Sequence, residues 1–401
     1  MAWIQAFLQR ISRWMLRGVQ FFIGVVFCLT PITAIAVVGW TYRLMQRQAV
    51  CTFHRAQAAA LGKDGPVSPL PPAAQQWPNW FIREAPGAWN HAGAWQSLSL
   101  TQKAAYLLAT PIHSLWGHFK TGLLALINTW AITLPGLALW VFAWHAGWNN
   151  SFHKVYEQAY VGISSGLLGV ALFVAAMLYL PFAQARQAVT GQFRSFYDFG
   201  VIRRAMAARW WALVFLAALI VLLNLPVMLF KTLPVVFDRF PQVQALSDAE
   251  ALAFLQRYWF WVSAVCFPIY VFIHVAAARI YAKSLCRAYQ TERINDSSLS
   301  EWESGWLAPL PLQTAPQRHL IIRGASISLQ SIKAFSSIVI LVLLWFGLVA
   351  QIFVSEFFNY HPLPRWLNQP LIHMPWFEYT PDHLREAAQA AEQVEDDQFP
   401  S

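Results

Sequence analysis

Residues 178–209 read LYLPFAQARQAVTGQFRSFYDFGVIRRAMAAR, and this stretch decides the fold. It closes one apolar run at Phe182. It then sets five arginines (Arg186, Arg194, Arg203, Arg204, Arg209) against one acid, Asp198, and opens the next apolar run at Trp210. A basic hinge between two apolar runs is the pattern of a chain that crosses a membrane and returns. The whole chain agrees. Of its 401 residues 57% are hydrophobic and 12% charged, whereas a soluble domain carries roughly 25% charged residues. The mean hydropathy is +0.41. The fold class expected is an all-α membrane protein.

Working outward, residues 121–144, 161–182, 210–230 and 258–278 are clear spans, and 337–354 is a further one. Residues 18–40 form an uncharged run of 23, long enough to cross. Pro31 sits near its middle and could instead fold it into a re-entrant hairpin. Ala34-Ile35-Ala36 imitates a signal-peptidase site, but the apolar run continues past it. Residues 1–17 put Trp3, Phe7, Ile11 and Trp14 on one helical face and Arg10, Arg13 and Arg17 on the other, as an interfacial amphipathic helix does. Residues 41–120 begin basic, pass through a Pro- and Trp-rich middle, and turn helical again from Ser99. Residues 291–336 read as a loop on the same side, and residues 355–401 as a Pro- and aromatic-rich stretch ending in an acidic tail.

Six spans make the odd-numbered loops basic. Those loops hold 19 of the 28 Lys and Arg against seven of the 19 acids. The positive-inside bias therefore places residues 41–120, 183–209 and 279–336 in the cytoplasm. The same blocks explain the net charge of +9 without invoking nucleic acid.

The hinge also has an echo. Ala183-Gln184-Ala185-Arg186 ends one span and Ala276-Ala277-Ala278-Arg279 another. Arg194 and Arg287 follow at the same interval, then Phe196 and Tyr289, and Pro135 and Pro226 recur in the preceding spans. Residues 121–209 and 210–290 thus read as two hairpins with basic extensions, a possible parallel repeat of the kind transporters use. The first extension is expected to run as a bent amphipathic helix to Gly200, with Arg194 and Asp198 within pairing distance. The stretch FRSFYDFGVIRR…RWWALVFLAALIVLLNLP, within about residues 110–290, resembles a bacterial family of multi-pass membrane proteins known as a domain of unknown function. The resemblance implies a bacterial inner (plasma) membrane and no activity.

Chemistry is sparse. HExxH, GxGxxG and GxxxxGK[ST] are absent. The four cysteines (Cys28, Cys51, Cys266, Cys286) show no metal spacing, and His113 and His118 fall on different helical faces, so neither a metal nor a cofactor is expected. Asn128, Asn224 and His274, with several Ser and Thr, are the polar residues inside spans, and with the carbonyls freed by Pro31, Pro135, Pro226 and Pro268 they could line a polar cavity. Arg186, Arg194, Arg203, Arg204, Arg279 and Arg287 are candidates to hold anionic lipid headgroups. The partners expected are the bilayer, those headgroups and a membrane-protein partner. The leading reading is a non-enzymatic structural, assembly or accessory protein of the inner membrane. The second is a permease for a small or lipid-like molecule, and the third an embedded enzyme acting on lipid.

Overall fold

The computed structural model describes residues 15, 17–61, 99–143, 159–237, 240–312, 335, 336 and 339. The expected interfacial helix (apart from Met15 and Arg17), the Pro- and Trp-rich middle of residues 41–120, nearly all of the span 337–354 and the acidic tail lie outside the described residues. Within them the chain is all helical, without strands. The long elements are α1 (Arg17–Phe27), α2 (Pro31–Leu61), α3 (Leu100–Ala143), α4 (Ala159–Thr190), α5 (Phe199–Ala208), α6 (Trp210–Thr232), α7 (Asp248–Gln290) and the short α8 (Glu301–Leu307). Among the described residues, four stretches are long and apolar enough to cross a membrane: Pro111–Leu139, Ser164–Thr190, Trp210–Val227 and Asp248–Gln290.

The first apolar run is not one helix. It breaks at residues 28–30, after the described helix Arg17–Phe27. The break has a local cause. Pro31 cannot donate to Phe27, and the Thr33 hydroxyl donates to that carbonyl instead at 2.6 Å. Thr30 caps α2, its hydroxyl accepting from the Thr33 amide, with proline at the first helical position. The other prolines act differently. Pro135, Pro226 and Pro268 lie inside α3, α6 and α7, and each helix runs on through its proline.

The chain divides into two compact units. One comprises residues 1–34, 222–270 and 350–401. Its core is Leu255, Trp259, Val262 and Cys266 on α7, packed by Val227, Phe230, Phe237 and Tyr258. The Tyr258 hydroxyl donates to the Phe230 carbonyl at 2.6 Å. The Phe267 ring lies against α1 at Gly24, where a Cβ would come within 2.2 Å of it.

The other unit comprises residues 35–221 and 271–349. Here α3 packs along α4. Helices α2 and α3 cross with their backbones in contact. A Cβ on Gly39 would sit 1.7 Å from the His118 carbonyl oxygen, and one on Gly122 would sit 1.9 Å from that of Ile35. Small residues at a crossing are how apolar helices approach closely in lipid.

Three stretches remote in sequence meet in this unit. They are the second half of α2, the stretch from the end of α4 through α5, and the end of α7 with α8. Gln46 donates to the Val189 carbonyl and Gln57 to that of Trp306. Phe53, Phe182, Phe196, Ile202, Tyr281, Leu285, Ile294 and Leu307 are fully or nearly fully buried. The long helices have the length to build this layer beyond their apolar windows. The 43 residues of α7 span about 64 Å at 1.5 Å each, twice a hydrocarbon core.

The end of α4 differs from expectation. The helix stops at Thr190, where Gly191 takes φ +69°, a left-handed conformation that glycine adopts without strain. A 3-10 segment, Phe193–Tyr197, follows, and Gly200 lies inside the first turn of α5 rather than interrupting a helix. By contrast α7 runs unbroken through the matching interval to Gln290, so the two arms of the proposed repeat end differently.

Candidate functional site

An open basic cleft of about 640 Å³ lies in the unit formed by residues 35–221 and 271–349. α2 contributes Thr52, Arg55 and Ala56, one face at a spacing of three and four. α7 contributes Arg279, Lys283, Cys286, Arg287 and Gln290, again one face. Arg209, at the corner between α5 and α6, completes the rim. Thr52 and Cys286 are buried, whereas Arg55, Arg279, Lys283 and Arg287 are exposed and Arg209 half-buried. The lining includes five cations and no carboxylate or imidazole.

Arg279, Lys283 and Arg287 stack at successive four-residue intervals, so each repels the next. Like charges at that spacing destabilise a helix by roughly 0.2–0.5 kcal/mol per pair. No side chain of the five takes part in an ion pair or hydrogen bond among the described residues. Among the described residues nothing repays the repulsion, and an anion in the cleft would.

A buried polar cluster fixes the same layer. Arg186, 2% exposed, reaches Asp198 through Nη2 at 2.8 Å and Nε at 2.9 Å. Its Nη1 donates to Glu303 at 2.8 Å and to the Tyr281 hydroxyl at 3.2 Å. Glu303 is fully buried. Its Oε1 also accepts from Tyr281, and its Oε2 accepts from the amide and hydroxyl of Ser300, closing a capping box on α8. Every lone pair of the buried carboxylate is thereby directed at a donor, the condition under which a buried ion pair is tolerated.

The six candidate arginines therefore separate. Arg279 and Arg287 line the cleft. Arg186 is corrected: its guanidinium is consumed internally and offers no surface to a headgroup. Asp198 pairs with Arg186 rather than with Arg194, because the 3-10 segment replaces the helix that would have set those two one turn apart. Arg194 and Arg203 are exposed outside the cleft. Arg204 donates to the Arg293 carbonyl.

The candidate cavity residues are divided between the two units. Asn128 is fully buried; its amide donates to the Phe193 carbonyl at 3.2 Å and accepts from the Tyr197 hydroxyl at 2.8 Å. Burial raises the Tyr197 pKa, keeping that phenol a donor. His274 is buried in the same unit. Asn224 belongs to the other unit, where its amide nitrogen is buried with no hydrogen-bond partner among the described residues. His118 is buried and His113 exposed. Among the described residues no three His, Cys, Asp or Glu side chains are placed to hold a metal.

Arg55, Arg209 and Lys283 complete the cleft although the sequence did not single them out as ligand contacts. Lys283 stands four residues from both Arg279 and Arg287, which is a usable sign in the sequence. Arg55 had none, since α2 meets α7 only through tertiary packing. Among the described residues the chain is all helical, with four helices long and apolar enough to cross a membrane and a basic cleft. Comparison with protein-family models, with curated proteins and with solved structures found no match.

Proposed function

We propose that this chain is a non-enzymatic integral protein of a bacterial inner membrane, in which the basic cleft binds an anionic group on the cytoplasmic side and serves an assembly or accessory role. The observation that carries this reading is the gathering of five cations from three separate stretches into one cleft without a single acid. The cytoplasmic assignment rests on the charge bias of the loops. It is supported by the meeting of residues from 41–61, 183–209 and 279–307 in one layer. Six crossings remain the arrangement proposed for the whole chain, with the first one built from the broken pair α1 and α2.

The permease reading is the weaker one because Asn128 is spent on two internal hydrogen bonds. An enzyme acting on lipid needs a base, and the cleft lining supplies none. Thiol chemistry tests the choice. Single cysteines replacing Asn128, Asn224 and His274 are exposed to a small water-soluble thiol reagent in native membranes, with Ala207→Cys as the accessible control. The expected result is inert thiols at all three positions. Fast reaction at two or more of them reveals a hydrated chamber and overturns the accessory reading in favour of transport.

A further inference from the structure

We infer that the anionic group taken by the cleft is a diphosphate or similarly compact polyphosphate, rather than a single phosphate or a set of carboxylates. This rests on the proposed anion-binding role and names the ligand class. The first argument is charge. A phosphate monoester carries about −1.5 to −2 at neutral pH. One such group leaves most of five cations uncompensated, whereas two joined phosphates compensate more than half of them.

The second argument is placement. Arg209 and Arg279 stand at the edges of apolar runs, directly before Trp210 and directly after Ala278. Lys283 and Arg287 follow Arg279 along α7 at about 6 and 12 Å. The charge therefore extends away from the apolar edge by more than one phosphate needs. The third argument is ligand geometry. Four of the five cations are arginines, whose planar fork presents paired donors to phosphate oxygens. Thr52, Ala56, Cys286 and Gln290 are the uncharged residues of the lining, and about 640 Å³ leaves room for a substituent beside the phosphates.

Both a lipid-borne and a soluble diphosphate satisfy this chemistry, and the experiment separates them. Purified full-length protein in neutral detergent is titrated calorimetrically with inorganic diphosphate, orthophosphate, citrate and farnesyl diphosphate. The expected order places both diphosphates at least about tenfold tighter than orthophosphate or citrate, with affinity falling as salt rises. Tighter binding of farnesyl diphosphate than of inorganic diphosphate assigns the group to a lipid, and equal binding to a soluble carrier; each supports the inference. Lys283→Glu and Arg287→Glu should each weaken diphosphate at least about tenfold, while Arg203→Glu, exposed outside the cleft, leaves it unchanged. Because Lys283 repels two neighbours, Lys283→Ala should bind weakly yet unfold at the same temperature as the parent or higher. A variant that merely misfolds does the opposite. Citrate binding as tightly as diphosphate, and weakened by the same variants, overturns the phosphate class and leaves the anion site standing. No binding of any probe overturns both.

Discussion

At the residue scale, Arg186 and Glu303 hold the layer together. Glu303 has no exposed surface and Arg186 almost none, so removing one partner strands a charge away from water. Breaking such a pair costs about 3–5 kcal/mol. Asp198 is 42% exposed, and its share of that figure is small. Arg186→Leu is therefore expected to destabilise the purified protein by most of that amount, read from denaturant unfolding followed by tryptophan fluorescence in detergent. The doubly apolar Arg186→Leu with Glu303→Leu should lose less than the two single changes summed. Arg186→Lys should not rescue, since one ammonium cannot reach both Asp198 and Glu303 in the forked geometry. An Arg186→Leu protein as stable as its parent would show that the cluster is incidental. The arginine itself was legible in the sequence as part of a basic block. Its role was not, because its partner lies 117 residues away and local charge counting treats all five hinge arginines alike.

At the element scale, the crossing of α2 and α3 depends on two hydrogens. Gly39 and Gly122 each face a carbonyl oxygen of the opposite helix at a distance that no Cβ can share. Gly39→Ala or Gly122→Ala must separate the helices, at a cost of about 1–3 kcal/mol for overpacking. Gly305, in α8, has nothing within 4 Å of its added Cβ. Gly305→Ala is expected to be neutral or stabilising by up to about 1 kcal/mol. Unfolding midpoints of the three variants, with the monodisperse fraction on gel filtration, check this; equal behaviour of all three removes the crossing from the account. The apolar windows of these helices could be read from hydropathy, since length and lack of charge are properties of the segment itself. Their ends could not. Gly191 terminates α4 because it takes a left-handed backbone, while Gly200, the more conspicuous glycine after the aromatic run, sits comfortably in a helix. Pro31 breaks its helix and Pro135, Pro226 and Pro268 do not. The sequence marks all four carbonyls as freed, but only the folded chain decides whether a cap such as Thr30 and an acceptor-satisfying hydroxyl such as Thr33 turn the position into a stop.

At the scale of the whole molecule, the argument concerns sidedness. A layer assembled from α2, the α4–α5 connection and the end of α7 requires its three sources to emerge on one side of the bilayer, whatever the number of crossings between them. The charge count independently puts those same stretches together, because they carry most of the basic residues. The loop between α6 and α7 is then predicted on the opposite side. Exposed positions are available to test both statements: Ala59, Ala207 and Ser297 in the layer, and Ala245 in that loop. Each is replaced singly by cysteine in a background without Cys28, Cys51, Cys266 and Cys286, and intact cells are treated with a membrane-impermeant thiol reagent. Protection at 59, 207 and 297 until the cells are opened, with labelling at 245 throughout, is the expected pattern. The inverse pattern would keep the layer intact but place the cleft outside the cytoplasm, where the charge bias would have to be explained by something other than insertion. A split among 59, 207 and 297 is the more damaging outcome, since residues on opposite faces of a bilayer cannot share the contacts from Gln46 to Val189 and from Gln57 to Trp306.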